Sequence, residues 1–453
     1  MLTSSAMRQS LQQCAQLLCE HCGGSPTSLA EAESAVTKIV EALAPFMLEQ
    51  LLQPSTGRHT YQGTALACPC GEQARFVGYR KRVLLGLWGS VRVQRAYYHC
   101  AHCHTGQLPW DQKQGLDASD FTPALKAQVA EVMAHLPYRS GVSLLERLRG
   151  VHLPPSSAEQ IVLEVGGRLQ QEDQQQASAC QQWAQAALAY QWGVSETPPP
   201  VPVGAYRARH GVCGKRLYIS LDGAMAHLDG DWHEVKCGLV YTVDKNATAQ
   251  DTLLERAYTA AAQSAEEFGW QLAALAQAWQ ADVYAELIAI GDGAKSNWSV
   301  FAKHFPRALQ ILDFLHASQH LFAAAEAVFG KGNEVARTWW QSWSQTLKEQ
   351  GPFPVLAELA TLQAPTAQAQ EDLERERAYL QSNALRMDYP GYRARGLMIG
   401  SGPVEAACKV IVGQRLKQAG MRWSRAGAGA VLALRTRVLS GEYETIQKVA
   451  RAA

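Results

Sequence analysis

The sequence predicts a multidomain α/β protein, and three observations carry that expectation. Apolar strand-like runs end in acids: Leu217, Ile219 and Leu221 alternate into Asp222-Gly223, and Leu287-Ile288-Ala289-Ile290-Gly291 runs into Asp292-Gly293. Helical patterns separate these runs, which is the grammar of an α/β layer with acids at strand ends. Upstream, two cysteine knuckles, Cys68-Pro69-Cys70 and Cys100-Ala101-His102-Cys103, flank a β-rich insert. At 453 residues the chain has room for about three domains.

Composition narrows the function classes. Net charge is +1, so total charge announces no polyanion partner, but its distribution is uneven. Gly391 to Ala453 holds eleven Lys/Arg against three Asp/Glu, a local net of +8. Between Glu72 and Asp111 lie Arg75, Arg80, Lys81, Arg82, Arg92 and Arg95, with no acid among them. Two basic patches in a near-neutral chain suit nucleic-acid contact at defined places. No apolar run approaches the ~18 residues of a membrane span, and no signal-peptide pattern opens the chain. The expected location is therefore cytoplasmic, on the nucleoid. Eleven cysteines are too sparse for a disulfide scaffold and point to thiols or metal ligands.

In chain order, residues 1–60 read as a helical segment, with Ser28 as an N-cap and Glu31 completing a capping box. Cys14, Cys19, His21 and Cys22 could be written as a metal set, but Cys14 falls on the apolar stripe and nothing else supports a site. Residues 61–118 form a zinc-ribbon-like β module. Phe76–Tyr79 and Val91–Tyr98 are its strands around a Gly86–Gly89 turn, and Cys68, Cys70, Cys100 and Cys103 would close a tetrahedral structural zinc site. The first knuckle is C-x-C, and His99, His102 and His104 stand nearby as substitutes. Residues 119–196 are helical and resemble a helix-turn-helix, with helices at Phe121–His135 and Ser140–Leu148 and a third opened by a Ser156–Glu159 capping box. Residues 197–214 form a proline-rich linker.

Residues 215–316 would be the first part of a catalytic core. Strands are expected at Arg216–Leu221, Glu234–Val243, Leu287–Ile290 and Leu309–Leu312, and a helical stretch over Leu253–Trp279. Residues 317–395 read as an all-helical insertion, and 396–453 as the final core helix and a basic tail. The third acid, Glu405, follows the turn Gly400-Ser401-Gly402-Pro403. An Asp-Gly pair is also an ordinary turn. Two such pairs after apolar strands, with Glu405 in a basic region, point instead to three carboxylates meeting in space. Rigidly placed carboxylates suit two Mg2+ ions (Mn2+ as a substitute) for in-line phosphodiester chemistry. A glycine after each aspartate would leave room for a phosphate to approach. Asp313, with His316 and His320, is the rival for the second acid. A structural or DNA-positioning role suits it better. Glu234, near Lys236, is a possible fourth acid.

These segments carry a resemblance. Ile290–Ala294, Leu312–Ala317, Ile399–Glu405, Arg415–Ser424, Trp232–Lys236 and the Cys-rich hairpin together resemble the Kra-type insertion-sequence transposases of bacteria, over most of the chain from Cys68 to about Ser440. The order of motifs is specific; no single motif is. The resemblance implies an RNase H-like DDE core, interrupted by a helical insertion before its last acid. It also implies DNA cleavage and strand transfer at transposon ends. Carried over by position, the catalytic, Mg-binding triad is Asp222, Asp292 and Glu405. The expected DNA contacts are Arg80, Lys81, Arg82, Arg92, Arg95, Lys409, Arg415, Lys417, Arg422 and Arg425. The expected partners are double-stranded DNA and further copies of the chain assembled on it. Two other readings stay open: a sequence-specific DNA-binding protein without catalysis, and an RNase H-like junction nuclease.

Overall fold

The structure is a computed structural model that describes residues 28–52, 55–116, 119–200, 216–245 and 251–452, with a few isolated positions before residue 28. Cys14, Cys19, His21 and Cys22 fall outside the described residues, as does the proline-rich linker from residue 201 onward. The chain is α/β, with one antiparallel and one mixed sheet. It divides into two compact units, residues 1–161 with 446–453, and residues 162–445. No helix among the described residues is long and apolar enough to cross a membrane.

The first unit opens with α1 (Leu29–Leu52), where the Ser28 hydroxyl accepts the Glu31 amide at 3.3 Å, the N-cap half of the expected box. A four-stranded antiparallel sheet follows: β1 (Ala65–Ala67), β2 (Gln73–Gly86), β3 (Gly89–Cys100) and β4 (Gly106–Gln107). β2 and β3 form one long hairpin closed at Gly86↔Gly89, so the expected strands and turn are present but longer. α2 (Pro109–Gln114) packs on β3. α3 (Pro123–His135) and α4 (Tyr138–Arg149) are joined by the two residues Leu136-Pro137. Next comes α5 (Pro155–Gln191), inside which the division between units falls. α5 begins at Pro155, a residue suited to the first helical position, rather than behind a Ser156 cap. The Pro154 carbonyl accepts the Ser157 and Ala158 amides, so the expected Ser156–Glu159 box is displaced by the Pro-Pro pair.

The second unit is built on a five-stranded sheet of order β7-β6-β5-β8-β9. β5 (Arg216–Leu228), β6 (Asp231–Lys245) and β7 (Asp251–Ala261) form an antiparallel meander, and β8 (Glu286–Gly291) and β9 (Leu309–Leu312) add parallel to β5. Two strand expectations need correction. β5 does not end at Leu221, and Asp222-Gly223 is not a turn. The strand runs on to a two-residue hairpin at Asp229-Gly230, both with positive φ (51° and 94°), which is where the left-handed turn geometry is met. Residues 251–261 are a strand rather than the start of a helix. Their Leu, Glu, Arg and Ala side chains favour a helix in isolation, but a ladder with β6 from Lys236↔Ala261 to Lys245↔Asp251 overrides them. α6 (Ala265–Ala278) follows, with a full capping box between Ser264 and Glu267.

α7 (Lys295–His304) connects β8 to β9. From residue 314 to 394 the chain is helical: α8 (Phe314–Phe329), α9 (Glu334–Gln350), α10 (Pro352–Thr361), α11 (Ala367–Ser382) and α12 (Tyr389–Ala394). α13 (Gly402–Cys408) carries Glu405 and passes through a π turn at Lys409–Gly413 into α14 (Gln414–Leu416). α15 (Arg425–Leu439) lies on β7 and against the later part of α5. There Gly166 meets the Ala430 backbone at a distance that leaves no room for a Cβ. α16 (Tyr443–Ala452) closes the chain.

Candidate metal and active-site centre

Strand register brings the acids together. Ser220 pairs with Ile290 across the parallel β5–β8 ladder, so Asp222 and Asp292, each two residues on, come level. Gly291 pairs with Leu312, which sets Asp313 beside Asp292 on the next strand. Asp292 and Glu405 both act electrostatically on Asp222. Burial raises the Asp222 pKa above the usual carboxylate value, and the charges of Asp292 and Glu405 raise it further.

Each acid is held by specific donors. Asp222 accepts the Gly223 amide at 2.7 Å and a hydrogen bond from the Cys408 thiol, three residues beyond Glu405 on the same helix. Asp292 Oδ1 accepts the Ala294 amide and the Asn297 side-chain amide, both at 3.0 Å. Asn297 Nδ2 also reaches the Leu221 carbonyl at 3.4 Å, so one side chain ties β8 to β5. Glu405 Oε1 accepts the Ser401 hydroxyl at 3.2 Å and lies 4.0 Å from His316 Nδ1.

Asp313 is fully buried and both its oxygens are engaged. Oδ1 caps α8 by accepting the His316 amide at 2.7 Å and meets the His316 ring at 3.1 Å. Oδ2 accepts the Ser401 amide, and the Phe314 amide bonds the Ile399 carbonyl at 2.9 Å. Asp313 thereby fastens the Gly400–Gly402 loop that launches Glu405. Burial opposes its charge, but the hydrogen bonds from His316 and Ser401 outweigh burial and hold its pKa below the usual value. The same Asp313 contact raises His316. His320 turns elsewhere: its Nδ1 lies 2.5 Å from Glu376.

Among the described residues, two groups bring three or more ligand atoms within 4.8 Å of one another: Asp313, His316 and Glu405, and the four cysteines Cys68, Cys70, Cys100 and Cys103. Asp222 and Asp292 do not enter the first group, so the three acids expected from the sequence are not brought together as a ligand set at that spacing. The rooms over the two glycines are also filled. A Cβ on Gly223 would lie 2.1 Å from Glu234 Oε1, and one on Gly293 2.1 Å from the Tyr379 hydroxyl. Neither gap is left open for phosphate. Glu234 pairs with the buried Lys236 at 2.7 Å.

The cysteine group sits at the base of the β2–β3 hairpin. Cys68 Sγ lies 3.5 Å from Cys103 Sγ and Cys70 Sγ 3.7 Å from Cys100 Sγ. Sulfurs of a tetrahedral Zn–S site stand about 3.8 Å apart. Gly71 (φ +91°) turns the short first knuckle, and its amide bonds the Cys68 carbonyl at 2.9 Å. His99, His102 and His104 are not members of the group.

The expected DNA contacts divide by burial. Arg80, Lys81, Arg92, Lys409, Lys417, Arg422 and Arg425 are exposed, Arg425 in an ion pair with Asp229 at 3.2 Å. Arg82 and Arg95 are not surface cations: both grip Asp111, at 2.8 and 2.9 Å. Arg415 is fully buried against the Trp423 ring, 4.9 Å from its centroid. These three arginines serve the fold, because each packs against an internal partner: Arg82 and Arg95 against Asp111, Arg415 against Trp423.

Asn297, Tyr379 and Cys408 were not legible as site residues. For Cys408 a signal existed, the i,i+3 spacing from Glu405 on one helix face. Searches against protein-family models and curated proteins returned no match.

Proposed function

We propose that the chain is a DDE transposase that cuts and joins DNA at the ends of an insertion sequence. The observation that carries this reading is the convergence of Asp222, Asp292 and Glu405 from two adjacent parallel strands and one helix. A sheet in which three antiparallel strands are followed by two parallel ones, with acids on the first and fourth strands, is consistent with the RNase H-like core that this reading requires. Mutually repelling, half-buried carboxylates fit a pair of hard divalent cations, here two Mg2+. When bound, such ions activate a water or a 3′-hydroxyl and stabilise the leaving oxygen of a phosphodiester.

The chain's own residues do the rest. Asn297 and Ala294 fix the Asp292 carboxylate, Ser401 orients Glu405, and Asp313 holds both His316 and the loop before Glu405. Arg80, Lys81 and Arg92 on the hairpin, and Lys409, Lys417, Arg422 and Arg425 after the last acid, would meet DNA phosphates. Cys68, Cys70, Cys100 and Cys103 would hold a structural Zn2+ that keeps the hairpin base closed. The substrate is double-stranded DNA with inverted ends, worked on by an assembly of more than one copy.

The test starts from the DNA on either side of the coding region: if it carries inverted repeats, a duplex bearing them should be cleaved with Mg2+. Asp222→Asn, Asp292→Asn and Glu405→Gln should each fall to the limit of detection while binding the duplex as the parent does. Full activity in any of the three removes that residue from the mechanism. A parent protein that binds the ends yet never nicks them with Mg2+ or Mn2+ would make it a DNA-binding protein only.

A further inference from the structure

We infer that the helical segment between β9 and Glu405 is part of the catalytic scaffold, with Tyr379 of α11 as the positioning residue that fixes the Asp292 turn and hence the geometry at which Asp292 meets a cation. This rests on the proposed metal-dependent site. The Tyr379 hydroxyl donates to the Asp292 carbonyl at 2.6 Å. That carbonyl lies just past the end of β8, where the sheet ladder offers no further partner. The next residue is Gly293 at φ +92°, and a side chain there would strike the Tyr379 hydroxyl. Turn and tyrosine are therefore fitted to each other.

Tyr379 is itself braced. Its ring stacks on His320 of α8, with centroids 3.5 Å apart and planes at 21°. His320 Nδ1 meets Glu376 at 2.5 Å, and Arg375 joins the buried Glu376 at 3.1 Å. Two helices of the segment thus lock one aromatic ring against the turn that bears an acid. The neighbouring strand repeats the device. The Tyr389 hydroxyl donates to the Leu312 carbonyl at 3.1 Å, immediately before Asp313, from a fully buried ring that meets Phe314 edge-on. Both parallel strand ends that carry acids are hydrogen-bonded by tyrosines of the same helical segment. A helical insertion that only decorated the sheet would have no reason to supply either contact.

The test is Tyr379→Phe in the full-length chain, which removes one hydroxyl and keeps the ring. Mn2+ alone, titrated by electron paramagnetic resonance without DNA, should bind about tenfold more weakly or worse than to the parent. Amide exchange should quicken at Gly293 and Ala294 and stay unchanged in the rest of the sheet. Asp292→Asn serves as the reference and should lose that Mn2+ binding. Parent-like Mn2+ affinity in Tyr379→Phe, with Asp292→Asn impaired, overturns the brace and leaves the site reading standing. Parent-like Mn2+ affinity in Asp292→Asn overturns the site reading and the brace with it. Loss of protection throughout the second unit in Tyr379→Phe would mark the hydroxyl as a general structural contact and also overturn the inference.

Discussion

Asp111 shows what single residues hide in a sequence. Six cations between Glu72 and Asp111 look like a phosphate-binding face when counted along the chain. In the folded hairpin Arg82 and Arg95 converge on this one carboxylate, 29 and 16 residues away, and Arg82 also takes Asp120 at 2.7 Å. Asp111 is 2 % exposed and Arg95 7 % exposed, so neither charge has water to fall back on. Ion pairs across elements leave no periodic trace, whereas the strand-end position of Asp292 does. Removing one partner of a buried pair strands the other. Asp111→Ala should therefore cost about 3 kcal/mol in chemical denaturation of the first unit. A loss under about 1 kcal/mol would mean that the two arginines keep their solvation by another route.

At the scale of elements, the short buried strands β8 and β9 were readable because their apolar runs are bounded by turns. β7 was not. Its last five residues, Ala257–Ala261, are all buried, so it shows no alternation there, and Leu253–Arg256 before them are Leu, Glu and Arg rather than β-branched residues. β5 was read too short because Asp222-Gly223 imitates a turn, while Gly223 is there to make way for Glu234. Helix packing hides a further constraint. Gly269 of α6 lets His304 of α7 approach so closely that a Cβ would lie 2.5 Å from its Nε2, and Trp270 meets the imidazole edge-on at 4.4 Å. Burial, with Lys303 beside it, pushes the His304 pKa down to about 4 from an ordinary value of 6.5. Between those two values the unfolded chain binds the proton and the folded one resists it, so the contribution is intact above pH 6.5 and is lost as pH falls toward 4. Thermal denaturation of the parent across that window should show a loss on the order of 2 kcal/mol that His304→Gln lacks. Equal slopes for the two proteins would sink the assignment.

At the scale of the whole molecule, the order of segments was legible: a cysteine hairpin, helices, a sheet with acids, a helical stretch, a last acid. Motif order survives in a linear string. What the string conceals is how the helical stretch acts on the sheet, since Tyr379 reaches Asp292 across 87 residues. It also conceals that the two compact units meet inside one continuous helix. The division has a thermodynamic consequence. In the first unit, Cys68 and Cys100 are themselves core residues, packed with Ala74, Ala96 and Tyr98. A metal held by the four thiols would then contribute its binding free energy directly to that small core. The second unit has a large core of its own, with Ile219, Leu221, Ile288 and Ile290 on the sheet and Phe268 on α6 all buried. A strong zinc chelator should accordingly lower one calorimetric transition and leave the other in place, and Cys70→Ser should reproduce the effect without chelator. Unfolding in which both transitions move together, or neither moves, would remove the metal from the first unit's stability. If the proposed DNA cleavage is observed in the parent, Cys70→Ser should raise the duplex concentration for half-maximal rate and retain the maximal rate.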